Sequence, residues 1–104
     1  MSYHSIIKNC YGSFEVLKKG DGAILVFIHG EEGPRNILPY HEYLSKHFTV
    51  WAPSLPGTGK SEIPDWVTSV SDISKIILET LDKDNITSCI LVGCSLGGWI
   101  ASEM

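Results

Sequence analysis

The chain is short of several features, and each shortage narrows what it can be. Its 104 residues include three cysteines, Cys10, Cys89 and Cys94. An odd count without framework spacing excludes a small disulfide-stapled fold and points to free thiols in a reducing, cytoplasmic compartment. Long apolar runs are missing too. The longest, Ala23–Ile28 and Cys89–Val92, fall far below the roughly 20 residues of a membrane-spanning helix, so no membrane is expected as a partner. The opening residues Met1–Lys8 lack the apolar core of a secretory signal. Lysine and arginine are scattered and the formal net charge is −4, which argues against nucleic acid as a partner. No Cys/His group has metal-ligand spacing, so neither a metal nor a cofactor is expected. There are no internal repeats and no low-complexity tract.

What is present is an ordinary globular composition, 43% hydrophobic and 19% charged, in a length that allows one domain at most. The chain alternates strands and helices. Ser2–Lys8 reads as an edge strand, Asn9–Gly12 as a turn, Ser13–Lys18 as a second strand and Lys19–Gly22 as a second turn. Ala23–Ile28 is six apolar residues, the pattern of a strand buried on both faces. After a loop over His29–Asn36, Pro39 suits the first turn of a helix whose buried stripe is expected at Tyr40, Tyr43 and Leu44. Phe48–Ala52 is the next strand and Pro53–Trp66 a long irregular loop. Ser69 and Asp72 have capping-box spacing before a helix with an expected stripe of Val70, Ile73, Ile77 and Leu81. Asp82–Asn85 ends that helix, Thr87–Val92 is a third apolar strand, and Trp99–Met104 begins a last helix. Parallel strands joined by helices imply an α/β fold: a mostly parallel sheet with helices on both faces and an N-terminal antiparallel pair.

Three segments could carry chemistry. Gly93-Cys94-Ser95-Leu96-Gly97 is a G-x-S-x-G between a strand and a helix, the context that motif requires. The chain must reverse sharply with Ser95 at the apex, and side chains at Gly93 and Gly97 would collide across the turn. The helix N-terminus then offers the Leu96 N–H to a developing oxyanion. The plainer reading makes Ser95 an N-cap only. His29-Gly30 follows the first buried strand, where the backbone N–H of Glu31 could supply a second donor. Alone, it reads as a strand-end loop with a solvated histidine. Gly59-Lys60-Ser61 imitates the end of a phosphate-binding loop. Ser54 stands where that motif needs glycine, and Pro64 opposes the helix that should start at Lys60-Ser61; a structural turn is the better reading. Cys94 is expected to be a buried thiol, His41, His47 and His4 to be solvated, and Trp51, Trp66 and Trp99 to be core or pocket wall.

Taken together, His29-Gly30 after the third strand, Pro56–Ser61 after the fourth and Gly93–Gly97 after the fifth resemble the α/β-hydrolase fold superfamily. The match runs from about Ala23 to Met104. The resemblance implies Ser95 as nucleophile, the Leu96 and Glu31 N–H groups as oxyanion hole, and His29 as a residue that shapes the loop rather than the base. It also implies that residues 1–104 form the N-terminal part of one hydrolase domain, with the catalytic acid and histidine following the serine in parts this chain does not contain.

The expected function is hydrolysis of an ester, amide or related acyl bond of a small-molecule substrate by the full-length form. The isolated chain is expected to be inactive, because a serine without its base is a poor nucleophile. In the family's sheet order the strand ending at Val92 lies at an edge, so marginal stability or self-association is expected. Two other readings predict different outcomes. A nucleotide binder would depend on Lys60, and a non-catalytic interaction module would leave Ser95 unreactive.

Overall fold

The computed structural model describes residues 4–29, 39–58, 61–94 and 96–104. Strands β1 (His4–Asn9) and β2 (Gly12–Lys19) form an antiparallel hairpin with Asn9 opposite Gly12. Asn9 closes the two-residue link by accepting the Tyr11 N–H at Oδ1, 2.8 Å away, and Gly12 takes a φ of 140° that a residue with a Cβ rarely adopts. The remaining elements are β3 (Ile24–Ile28), α1 (Pro39–Leu44), β4 (Thr49–Pro53), α2 (Val70–Lys83), β5 (Ile90–Gly93) and α3 (Leu96–Glu103).

The five strands lie in the order β1-β2-β4-β3-β5. β2 meets β4 antiparallel, and β3 is parallel to both β4 and β5. The connection through α1 steps one way along the sheet, and the connection through α2 steps back across β3. Crossovers of one hand therefore place α1 and α2 on opposite faces. The side-chain alternation agrees. Val26 and Ile28 join Val16, Trp51, Leu55, Ile77, Leu81 and Ile100 under α2 and α3. Their neighbours Leu25 and Phe27 join Leu17, Val50 and Ala52, with Leu44 of α1 packed against them. Period two thus sends successive apolar residues of one strand into two cores, each fully buried side chain contributing about 1.5–3 kcal/mol.

Helix α2 begins as its spacing predicts. Ser69 caps it, its side chain accepting the Asp72 N–H. The return bond goes one residue further back than a capping box requires: Asp72 Oδ2 accepts the Thr68 N–H at 3.0 Å, which holds this carboxyl below its ordinary value. The helix ends with Asn85 at φ 60°. There the Ile86 N–H reaches Leu81 O and the Asn85 N–H reaches Asp82 O, a Schellman ending with asparagine in the place glycine usually takes.

Two expected helix faces are rotated in the structure. On α1, Tyr43 is 64% exposed while His41 is 3% exposed and meets the Phe27 ring edge-on at 5.3 Å; the side chain of Tyr40 lies outside the described residues. The helix has six residues, too few for periodicity to decide which side faces β3. On α2 the buried positions are Ser74, Ile76, Ile77, Thr80 and Leu81, with Val70 and Ile73 only partly covered. The hydroxyls escape a hydropathy pattern because they are satisfied internally. Thr80 donates to Ile76 O at 2.7 Å and accepts from Asn9 Nδ2 at 2.9 Å, and Ser74 donates to Val70 O at 3.0 Å.

β5 is the margin of the sheet, paired only with β3 among the described residues. Ile90 is 47% exposed and Leu91 39%. Consecutive strand residues point to opposite faces, so both faces of this margin are apolar and open.

Candidate active site

The reversal between the two crossovers leaves a switch point at the carboxyl ends of β3 and β5, where sheets of this class hold their ligands. Three chain segments converge there: the end of β3 with His29, the end of β5 with Gly93 and Cys94, and the start of α3 at Leu96. The β5·β3 ladder runs one residue past the strand, the Cys94 N–H donating to Ile28 O at 3.1 Å. The Gly97 N–H then turns back to Cys94 O at 2.8 Å.

The glycines explain how the reversal is so tight. A Cβ on Gly97 would stand 2.0 Å from Ile28 O and 2.6 Å from His29 O. A Cβ on Gly93 would stand 2.3 Å from Gly97 O. Ile28 O is held in the sheet and Gly97 O in α3, so neither can move aside cheaply. Gly98 differs: its Cβ would meet Gly93 O at an ordinary 3.5 Å. The two glycines of the G-x-S-x-G motif are therefore the two that the geometry demands. Leu96 is the first residue of α3, so its N–H has no acceptor within the helix. No acidic residue stands in the first turn of α3, leaving the positive end of the helix dipole uncancelled by its own side chains. Ser95, Gly30 and Glu31 lie outside the described residues.

His29 is buried, 5% exposed, rather than solvated. Its Nε2 accepts the Leu55 N–H at 3.1 Å, so the imidazole is neutral with its proton on Nδ1. That bond ties the carboxyl end of β3 to the loop after β4.

The same loop decides how Gly59-Lys60-Ser61 should be read, although Gly59 and Lys60 lie outside the described residues. A phosphate cradle needs backbone N–H groups free to point at an anion. Here the Ser54 N–H donates to Glu15 O, Gly57 to Glu62 O, Thr58 to Leu55 O, Ser61 to Thr58 O and Glu62 to Ser13 O. With Leu55 committed to His29, the described amides of the loop are consumed internally. Ser61–Pro64 is not helical. Ser61 is 8% exposed, its hydroxyl accepting the Glu15 N–H at 2.8 Å and donating to Ser54 O at 2.7 Å. Glu15, 5% exposed, accepts the Ser54 hydroxyl at 3.0 Å. Sequence reasoning missed this buried cluster. The available signal was a carboxylate in mid-strand between Phe14 and Val16.

Cys94 is exposed, not buried as its place in the motif suggested. It leaves the sheet at the uncovered margin of β5, where no described element packs over it. Trp51 is core, its Nε1 donating to Asp84 Oδ2 at 2.8 Å. Trp99, 59% exposed, and the partly covered Val67, Val70 and Ile73 line a groove of about 540 Å³. Among the described residues no cluster suited to a metal ion occurs, and no helix is long and apolar enough to cross a membrane.

Residues 25–104 match the model of the alpha/beta hydrolase family. This chain belongs to that family. Among curated proteins it is similar to the dihydrolipoyllysine-residue acetyltransferase component of the acetoin cleaving system of Cupriavidus necator, 33% identical over 89 residues. It is also similar to an uncharacterized protein of Mycobacterium tuberculosis, 34% identical over 88 residues. The matches cover 84% and 81% of the chain but 24% and 25% of those proteins, so the chain spans about a quarter of their length. Among solved structures, the N-acyl homoserine lactonase AidH complexed with N-butanoyl homoserine superposes with a TM-score of 0.87 at 33% identity, over 97% of this chain and 39% of that one. An alpha/beta fold family hydrolase of Bacillus anthracis gives 0.82 at 26% identity, over 95% and 37%.

Proposed function

We propose that this chain carries the nucleophile half of a serine hydrolase acting on an ester, lactone, amide or related acyl bond of a small molecule. Ser95 attacks the acyl carbon, and the Leu96 and Glu31 N–H groups receive the oxyanion. The observation that carries this reading is the pinning of Gly93 and Gly97 against the backbone of Ile28, His29 and each other. So close an approach of backbone to backbone is what a sharp strand-to-helix reversal demands and what an N-cap alone does not require. The uncovered positive end of α3 suits a developing negative charge. The likeness to a homoserine lactonase at 33% identity supports an acyl substrate. The base that takes the Ser95 proton, and the acid that orients it, belong to parts of a hydrolase domain beyond these residues. The isolated chain is accordingly inactive: losing a triad member leaves about 10³–10⁴-fold over water only where the site still forms.

The test is covalent labelling of the full-length protein by a fluorophosphonate. Ser95→Ala should abolish the label and Lys60→Ala should preserve it. Labelling that survives Ser95→Ala, or nucleotide binding that vanishes with Lys60→Ala, overturns the reading.

A second reading concerns the isolated chain. We infer that it self-associates through β5, because Ile90 and Leu91 expose apolar surface on both sides of an edge that is unpaired among the described residues. Leu91→Lys should shift it toward monomer in light scattering. A wild-type chain that is monomeric at 100 µM (about the range in which exposed edges associate) removes this reading and leaves the first untouched.

A further inference from the structure

The serine of Gly59-Lys60-Ser61 has a task that the phosphate-loop resemblance conceals. Its hydroxyl has one proton to give and lone pairs to accept with, and it uses both. It accepts the N–H of Glu15 on β2 and donates to the carbonyl of Ser54 at the end of β4. These partners lie 46 and 7 residues away in sequence, so one buried hydroxyl joins the two ends of the loop to a neighbouring strand. Ser54 doubles the tie, its N–H going to Glu15 O and its hydroxyl to Glu15 Oε1. The next residue, Leu55, has its direction fixed by this clasp, and its N–H is the donor to His29 Nε2. His29 O, in turn, lies against Gly97 at the start of α3.

We infer that Ser61 is a positioning residue: its hydroxyl clasps the loop after β4 so that the Leu55 amide holds the His29 imidazole, which fixes where the chain leaves β3 beside the G-x-S-x-G turn. The catalytic consequence rests on the reading of Ser95 as nucleophile; the structural link does not. The clasp also explains a sequence oddity. The serine of this Gly-Lys-Ser string faces inward and has a structural task that needs neither a leading glycine nor a following helix.

The experiment is nuclear magnetic resonance on the 104-residue chain at pH 7.5, kept dilute enough to be monomeric. Long-range ¹H–¹⁵N correlation reads the tautomer of His29, and hydrogen exchange reads the Leu55 amide. In the wild type the proton should reside on Nδ1. Ser61→Ala should raise the Nε2-protonated form to about a third or more and speed Leu55 exchange about tenfold, a local change of about 1.4 kcal/mol, while the Ile77 amide in α2 exchanges at its wild-type rate. Ser61→Thr, which keeps the hydroxyl, should restore both signals. An unchanged tautomer and Leu55 amide in Ser61→Ala overturn the inference. So does equal acceleration at Ile77, which makes the role one of global stability. Should Ser61→Ala fail to fold, Ser54→Ala carries the test, with about a threefold acceleration at Leu55 expected and no change overturning it. A full-length protein that never labels at Ser95 removes the hydrolase reading and leaves the tautomer result standing.

Discussion

The turn after β4 and the turn after β5 both look, as strings of residues, like places where a backbone holds an anion. One contains Gly-Lys-Ser, the other Gly-Cys-Ser-Leu-Gly. Their physics differs. In the first, the described amides from Ser54 to Glu62 are spent on the chain itself. Its one described glycine, Gly57, is there for a φ of 83°, and the nearest obstacle to a Cβ is the far end of the Ile63 side chain at 3.2 Å. In the second, the glycines are there for close approach of backbone to backbone, and the helix that follows opens with an N–H left over. A motif is therefore better judged by what its amides and glycines are committed to than by its letters.

Substitutions can break that contrast, and they fall in order of size. Gly97→Ala should cost at least about 3 kcal/mol, since overpacking against fixed backbone has no outlet. Urea unfolding of a monomeric sample reads it, and a loss below 1 kcal/mol would erase the distinction between the turns. Ser61→Ala should cost about 1.4 kcal/mol locally, read as faster exchange at the Leu55 amide and not at Ile77, because the Glu15 N–H and Ser54 carbonyl each lose a buried partner. Gly57→Ala should cost only about 1 kcal/mol, the penalty of a left-handed conformation with a yielding neighbour. If it matched Gly97→Ala, space rather than backbone conformation would limit both turns.

The smallest effect lies on the other face of the sheet. Burial holds the His41 imidazole below its ordinary value of 6.5. Below pH 6.5 the folded chain then binds fewer protons than the unfolded one, so this contribution to stability is complete above about pH 6.5 and is lost as the pH falls. His41→Gln should flatten that part of the pH–stability curve. A slope identical to wild type between pH 7 and pH 5 would show that the site opens readily to water.

Much of this was legible in the sequence. Six consecutive apolar residues from Ala23 announced a strand buried twice over, and the structure divides the last five between two cores, Ala23 staying exposed. Ser69 announced the start of α2, and Asp82–Asn85 its end. The strand–turn–helix setting of Gly93–Gly97 was readable as well. The errors came where local pattern carries too little information. Six residues of α1 do not fix an orientation, so His41 and Tyr43 were exchanged between core and solvent. Cys94 was assigned to the interior because nothing local says that β5 has an open margin. Ser74 and Thr80 were left out of the α2 face because polarity predicts exposure, whereas a hydroxyl bonded to the carbonyl four residues back can be buried.

The sequence by itself determined the order of strands and helices, the buried central strands and the tight strand-to-helix link, because these depend on spacing and on backbone freedom within a few residues. Only the tertiary structure decided the fate of Glu15, Ser54, Ser61 and His29. Their partners lie 7 to 46 residues apart in the chain, and a polar group becomes a clasp rather than a solvated side chain only when folding removes water from both ends of its hydrogen bond.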